Sequence, residues 1–324
     1  MQDLFQRKID YLRISVTDRC NLRCRYCMPE TGVALKTHEE ILSLEELFQL
    51  VKVAVAMGFS KFRLTGGEPL VRKGLTDLIA RMSRLEGVKN ITMTTNGILL
   101  SDQAKELKEA GLDRVNISLD TLKADRYRYI TRVGDLEQVL AGIEAAFKYK
   151  LEPVKVNVVT VKGFNDDELL DFARLTVDKP LHIRFIELMP IGESDGVKGE
   201  ESISINQIKK IIADEYDLHP SSIAGNGPAN YFRISGAPGT LGFIGALSNH
   251  FCHQCNRVRL TADGKLRPCL HKNLEYDLKE ILRKGGNEEE LKAVFSQAIT
   301  NKPREHSMNK DAWGQARIMS QIGG

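Results

Sequence analysis

A chain of 324 residues with 42% hydrophobic and 27% charged positions can bury a large core, and those proportions exclude a collagenous, coiled-coil or largely disordered protein. Its 46 basic and 43 acidic residues leave a formal net charge of +3, too balanced for a general nucleic-acid binder yet compatible with a local basic pocket. The apolar stretch at 51–59 is broken by Lys52 and falls far short of the roughly 20 residues of a membrane span, so no membrane partner is expected.

The N-terminal segment carries Asp3 and lacks the apolar core of an export signal, so the cytoplasm is the expected compartment. Cytosolic thiols stay reduced, and six cysteines therefore read as metal ligands rather than disulfides.

In chain order, a β-rich run at 12–16 opens the series. Ser43-Leu44-Glu45-Glu46 reads as a capping box, followed by Leu47, Phe48, Val51 and Val55 at helical spacing and by Gly58 as a stop. Strand-like runs at 61–64, 91–94, 115–119, 154–161 and 182–186 then alternate with helical patterns at 74–84, 102–110, 136–149 and 166–175.

Six strand-then-helix units imply parallel strands joined by right-handed crossovers, an α/β fold. Six is two short of a closed eight-fold barrel. The loops at 17–20, 65–69, 95–97, 118–120 and 187–190 all follow strand C-terminal ends, which favours an incomplete (β/α)6 TIM-type barrel over a doubly wound sheet and predicts one site assembled at that edge. Beyond Pro190 a Gly- and charge-rich linker at 192–199, a helix at 205–216 and Gly- and Pro-punctuated short strands predict a smaller C-terminal α+β lobe over 191–324, after a barrel domain over 1–190.

Cys20, Cys24 and Cys27 form C-x3-C-x2-C directly after the first strand, with no Cys or His nearby to close a four-ligand set. Structural zinc needs four ligands, whereas three thiolates on an iron–sulfur cluster leave one iron open. Zinc completed from a distance and free reactive thiols stay as alternatives. Cys252, Cys255 and Cys269 form a second triad, C-x2-C-x13-C, for which zinc with His250, His253 or His271 as fourth ligand stands level with a cluster. Between them Asp263-Gly264 predicts a two-residue hairpin turn, setting Thr261 opposite Leu266, Arg259 opposite Pro268 and Val258 opposite Cys269. On that register Arg257 and Arg259 face away from Cys269.

The first triad, with Tyr26 just before its third Cys, resembles the signature of radical S-adenosylmethionine (SAM) enzymes, and Thr65-Gly66-Gly67-Glu68-Pro69 is similar to that family's GGEP motif. The resemblance implies a [4Fe-4S] cluster on Cys20, Cys24 and Cys27 whose open iron chelates SAM, one electron then giving methionine and a 5′-deoxyadenosyl radical. It implies Tyr26, Gly67, Ser118 and Met189 as SAM contacts.

The second triad, with Ser248-Asn249 before it and the terminal Ile322-Gly323-Gly324, resembles the GTP 3′,8-cyclase family of molybdenum cofactor biosynthesis, over nearly the whole chain. That resemblance implies a second [4Fe-4S] cluster on Cys252, Cys255 and Cys269 that binds guanine. GTP is then expected on Arg13, Arg63, Thr94, Lys155, Arg257, Val258 and Arg259, and Gly323 and Gly324 are expected to enter the active site and act with the first triad. Lys61 and Arg184 are further candidates for phosphate, and no role is assigned to His306 or Trp313.

The implied reaction is hydrogen abstraction from ribose C3′ and attack of that carbon on guanine C8, giving (8S)-3′,8-cyclo-7,8-dihydroguanosine 5′-triphosphate. Implied partners are an electron donor such as flavodoxin or ferredoxin, cyclic pyranopterin monophosphate synthase as the next enzyme, and a second copy in a homodimer. The rival readings are a radical SAM enzyme acting on a peptide and a zinc-stabilised binding module.

Overall fold

The computed structural model describes residues 1–189, 191, 202–223, 225, 227–307 and 317–323; the 192–199 linker, Trp313 and Gly324 lie outside them. Strands β1 (Tyr11–Ser15), β2 (Lys61–Thr65), β3 (Asn90–Thr95), β4 (Arg114–Ser118), β5 (Lys155–Thr160) and β6 (His182–Glu187) pair in parallel in that order. Between them run α1 (Leu44–Ala56), α2 (Leu75–Ser83), α3 (Leu100–Glu109), α4 (Ala124–Thr131), α5 (Leu136–Lys148) and α6 (Leu169–Asp178). The capping box of α1 is formed: Ser43 Oγ accepts from Glu46 N–H at 3.1 Å, and Glu46 Oε2 accepts from Ser43 N–H at 2.7 Å.

Alternate residues of a strand face opposite sides. Leu12, Ile14, Phe62, Leu64, Ile91, Met93, Val115, Ile117, Val156, Val158, Ile183 and Phe185 form one side, fully buried in the core beneath the helices. The residues between them include Arg63, Thr92, Asn116, Lys155 and Arg184, all buried, and the half-buried Arg13, all of them polar. A parallel sheet covered on both faces ordinarily reads as a continuous apolar run. Here the inner face is polar, which is the pattern of a barrel that encloses a ligand rather than a packed core.

The later residues extend this same sheet at both edges. β9 (Thr240–Ile244) pairs in parallel with β6, and β10 (Arg257–Leu260) in parallel with β1. β7 (Leu218–Ser221) and β8 (Asn230–Ile234) continue beyond β9; β11 (Lys265–Arg267) and β12 (Tyr276–Asp277) continue beyond β10, making one mixed sheet of 12 strands. Helices α7 (Ile205–Ala213), α8 (Leu278–Arg283), α9 (Glu288–Thr300) and the single-turn α10 (Met319–Ile322) complete the described elements. The fold is α/β, an incomplete TIM-type barrel. Among the described residues no helix is long and apolar enough to cross a membrane.

The hairpin differs from expectation by one residue: Arg259 faces Arg267 and Leu260 faces Leu266. Gly264, at φ +81°, ends a three-residue loop closed by Thr261 N–H to Lys265 O at 2.9 Å and Gly264 N–H to Thr261 O at 3.0 Å. A one-residue slip turns every side chain over. The expected pairs of Thr261 with Leu266 and Arg259 with Pro268 are thus not formed, and β11 ends at Arg267, before Cys269.

Candidate functional site

A chamber of about 290 Å³ opens at the inner face of the barrel, walled by the loops that follow β1, β2 and β3 and by the inner residues of the strands. Cys20, Cys24 and Cys27 line it on the loop after β1. That loop is held from two sides. The N–H groups of Arg23 and Arg25 donate to the carbonyls of Thr131 and Ile130 at the end of α4. On the other side, Gly67 N–H donates to Thr17 O at 2.9 Å and Glu68 N–H to Arg19 O at 2.8 Å. A side chain at Gly67 would meet Arg19 O at 2.3 Å, so the Gly pair is what lets the second loop bond directly to the first.

Glu68 is buried and accepts from Leu70 N–H at 3.0 Å, Thr95 Oγ1 at 2.7 Å and Asn96 N–H at 2.7 Å. Burial pushes its carboxyl up to about 7 against the pull of those bonds. Tyr26 is fixed by its hydroxyl, which donates to Asp120 Oδ2 at 2.6 Å, while Asp120 Oδ1 accepts from Val159 N–H at 2.8 Å. Ser118, Thr94 and Met189 line the same chamber.

Burial pushes the Cys20 thiol up to about 11, Cys27 to about 12 and Cys24 well above its ordinary value. Cys20 and Cys24 each feel a further push from a neighbouring anion, so the loop needs a bound cationic centre to hold three thiolates together. In the second triad, burial of Cys255 is outweighed by Arg257 and Lys302, which bring it down to about 6. Among the described residues no three Cys, His, Asp or Glu side chains converge on one ion. Of the histidines weighed as a fourth ligand, His250 lies 3.8 Å from Glu305, and the His250 and His271 rings both pack on His306.

Arg13, Arg63, Arg184, Arg257 and Arg259 line the chamber wall. In the sheet register Arg13 lies between Arg63 on one neighbouring strand and Arg259 on the other. Burial, then Arg259 and Arg63, hold Arg13 well below the usual arginine range. Lys155 sits behind the wall, its Nζ 5.9 Å from the Tyr231 ring centre; burial, then Arg184, Arg114 and Arg63, bring it down to about 6. Arg184 Nε and Arg257 Nε are buried without a hydrogen-bond partner. Crowded cations with unused donors fit an anion with several oxygens.

Two candidates fall elsewhere. The Val258 side chain is fully buried in the main core, away from the chamber lining. Lys61 pairs with Asp10 at 2.9 Å. Gly323 takes φ +70°, its carbonyl accepts from Arg259 Nη1 at 2.6 Å, and a side chain there would meet Thr65 Oγ1 at 2.6 Å. The tail thus reaches the chamber, where Met319 and Ser320 line it together with Cys27.

Several residues around the site had no motif to reveal them. Glu187 at the end of β6 accepts from the N–H groups of Ile205 (2.8 Å), Leu247 (2.8 Å) and Ser248 (3.0 Å) and from the Ser248 hydroxyl, tying the barrel to the loop that leads into Cys252. Asp120, Lys302 and Arg317 work through partners far away in sequence in the same way. For Glu187, Asp120 and Lys302 the signal is only a charged residue at a buried position, and for Arg317 at a half-buried one, which sequence does not display.

Residues 14–176 match the Radical SAM superfamily, and residues 181–308 match Molybdenum Cofactor Synthesis C. The chain is 58% identical over 325 residues to a GTP 3′,8-cyclase of Moorella thermoacetica and 53% identical over 328 residues to one of Heliobacterium modesticaldum, in each case covering 100% of both chains. Among solved structures, Streptococcus suis SuiB bound to precursor peptide SuiA shares the fold with a TM-score of 0.60 at 14% identity, over 85% of this chain and 65% of that one. Native anSMEcpe with bound AdoMet superposes with a TM-score of 0.55 at 18% identity, over 92% and 82% of the two chains.

Proposed function

This chain belongs to the radical SAM superfamily and, within it, to the GTP 3′,8-cyclase family, and we propose that it converts GTP to (8S)-3′,8-cyclo-7,8-dihydroguanosine 5′-triphosphate, the first step of molybdenum cofactor biosynthesis. The observation that carries this reading is the meeting, in one chamber, of the Cys20, Cys24 and Cys27 loop with the cations Arg13, Arg63, Arg184, Arg257 and Arg259.

When bound, the first cluster and SAM supply the one-electron cleavage that starts hydrogen abstraction. The chain supplies placement and charge. Cys20, Cys24 and Cys27 hold that cluster; the Gly66-Gly67 turn, Ser118 and Met189 seat SAM, with Tyr26 held in place by Asp120. Arg13, Arg63, Arg257, Arg259 and Lys155 neutralise the triphosphate, with Thr94 beside Arg63 at 3.5 Å. Val258 contributes through its main chain. Cys252, Cys255 and Cys269 would hold a second cluster that would offer an open iron to the guanine, and Gly323 would help to close the chamber against water, with Gly324 expected to act beside it. Val159, Ile186 and Ile244 give it an apolar wall that protects a carbon radical.

The reading extends to an external one-electron donor such as flavodoxin or ferredoxin, to cyclic pyranopterin monophosphate synthase as the next enzyme, to a homodimer and to a cytoplasmic setting. It also keeps the division into a radical SAM partial barrel over 1–190 and a C-terminal lobe over 191–324 that carries the second triad and the Gly-Gly tail. Anaerobic reconstitution tests the core of it: about eight irons per chain with matching sulfide are expected, together with SAM cleavage that depends on GTP. 5′-Deoxyadenosine formation indifferent to GTP overturns the substrate.

A further inference from the structure

Lys302 follows the last turn of α9, and its main-chain N–H donates to Ile299 O at 3.1 Å, so the side chain leaves a rigid helix end. It is 3% exposed. An ammonium group has three hydrogens to donate. Two go to the carbonyls of Arg257 at 2.8 Å and Pro268 at 2.6 Å, and the positive charge they fix in place acts on both Cys255 and Cys269. Those acceptors belong to the two segments that carry the second triad, since Pro268 immediately precedes Cys269 and Arg257 follows Cys255 by two residues. Its neighbour Arg7 grips the remaining segment, donating to Cys252 O at 2.8 Å, Arg304 O at 3.0 Å and Pro303 O at 2.7 Å.

A buried ammonium spent only on main-chain carbonyls could be replaced by a neutral donor. Its charge beside Cys255 and Cys269 is what a neutral donor would not supply. Hydrogen bonds to cluster sulfurs and local net charge are what set the reduction potential of an iron–sulfur centre. We infer that Lys302 is a positioning residue of the second triad: it locks Cys255 and Cys269 at one spacing, aims Arg257 into the chamber, and holds the potential of the cluster there at a more positive value. The inference rests on the two-cluster reading above. The carbonyl bonds predict a mechanical effect on GTP, and the buried charge predicts an electrical effect on the cluster.

The test uses the full chain carrying Cys20→Ala, Cys24→Ala and Cys27→Ala, so that only the second triad can hold iron, with EPR-monitored redox titration and the GTP-induced change in the EPR signal as readouts. The parent must hold about four irons; if it holds none, the two-cluster reading fails and Lys302 is not at issue. With iron present, Lys302→Met is expected to shift the midpoint to more negative potential and to raise the GTP concentration for half-maximal spectral change by about tenfold. Lys302→Arg, which keeps charge and donors, is expected to restore most of the potential. Iron lost from Lys302→Met but kept by Lys302→Arg also supports the inference. An unchanged potential in Lys302→Met with iron retained, or loss of iron from both variants, overturns it.

Discussion

Arg259 Nη1 donates to the carbonyl oxygen of Gly323 at 2.6 Å, so a chamber arginine of β10 is bonded to the next-to-last residue of the chain. Gly323 also lies over Ser15 and Thr65 at the C-terminal ends of β1 and β2, with room there for hydrogen alone. The first prediction concerns this contact. Gly323→Ala should keep its iron and cleave SAM, yet lose about two orders of magnitude in product formation, since a displacement of about 1 Å can cost that much. Product and 5′-deoxyadenosine measured together check this; unchanged product formation refutes a role for the tail.

Arg317 opens the described part of the tail and bonds Asp263 Oδ1 at 3.1 Å, Asp263 Oδ2 at 2.9 Å and Glu275 Oε2 at 2.9 Å. Arg317→Ala should leave the barrel folded but free the tail, so that limited proteolysis trims the C-terminus faster and turnover falls as in Gly323→Ala. Unaltered trimming would show that the tail is held elsewhere.

Lys155 loses its proton near pH 6 in the folded chain because burial and the cations Arg184, Arg114 and Arg63 oppose a further charge. In the unfolded chain lysine stays protonated to about pH 10.4. The unfolded state therefore binds more protons between those limits, and the ligand-free stability contribution of this group rises with pH across the window. A polyanion reverses the bias. GTP binding in the absence of SAM should take up close to one proton at pH 7.5, and affinity should fall as pH rises. Calorimetry in buffers of different ionisation heat reads the uptake, and Lys155→Met should abolish it; no uptake in the parent chain would remove Lys155 from the triphosphate site.

Glu187 gathers three main-chain N–H groups and one hydroxyl on a single buried carboxylate. Glutamine at this position turns an amide toward donors. Glu187→Gln should destabilise the chain by about 2 kcal/mol, visible as a lower denaturant midpoint. An unchanged midpoint would mean that the loops around Ser204 and Ser248 hold themselves.

The barrel strands were legible because β-rich runs and helical spacings alternate cleanly, and the thiol triads because spacing alone marks them. α4 escaped because its eight residues bury only Tyr127, Ile130 and Thr131 and lack a side-chain N-cap. The hairpin register depended on whether Gly264 ends a two- or a three-residue loop, and Asp-Gly suits both. The cations Arg13, Arg63, Lys155 and Arg184 could be seen singly within strands, but their convergence is a property of strand order. Strand order also decided the fate of β9 and β10: a buried run such as Thr240–Ile244 declares that it is central without naming its neighbours.

The pairing of β1 with β10 and of β6 with β9 bears on how the molecule is made. As the chain leaves the ribosome, six parallel strands can assemble while both outer strands still present unpaired backbone, and the strands that cover them emerge only after residue 239. Until then the nascent barrel has two sticky borders and an inner lining of arginines with nothing to face. Synthesis stopped near residue 190 should yield an aggregating fragment, and the chamber comes into being only when the polypeptide beyond residue 239 folds back to seal both borders.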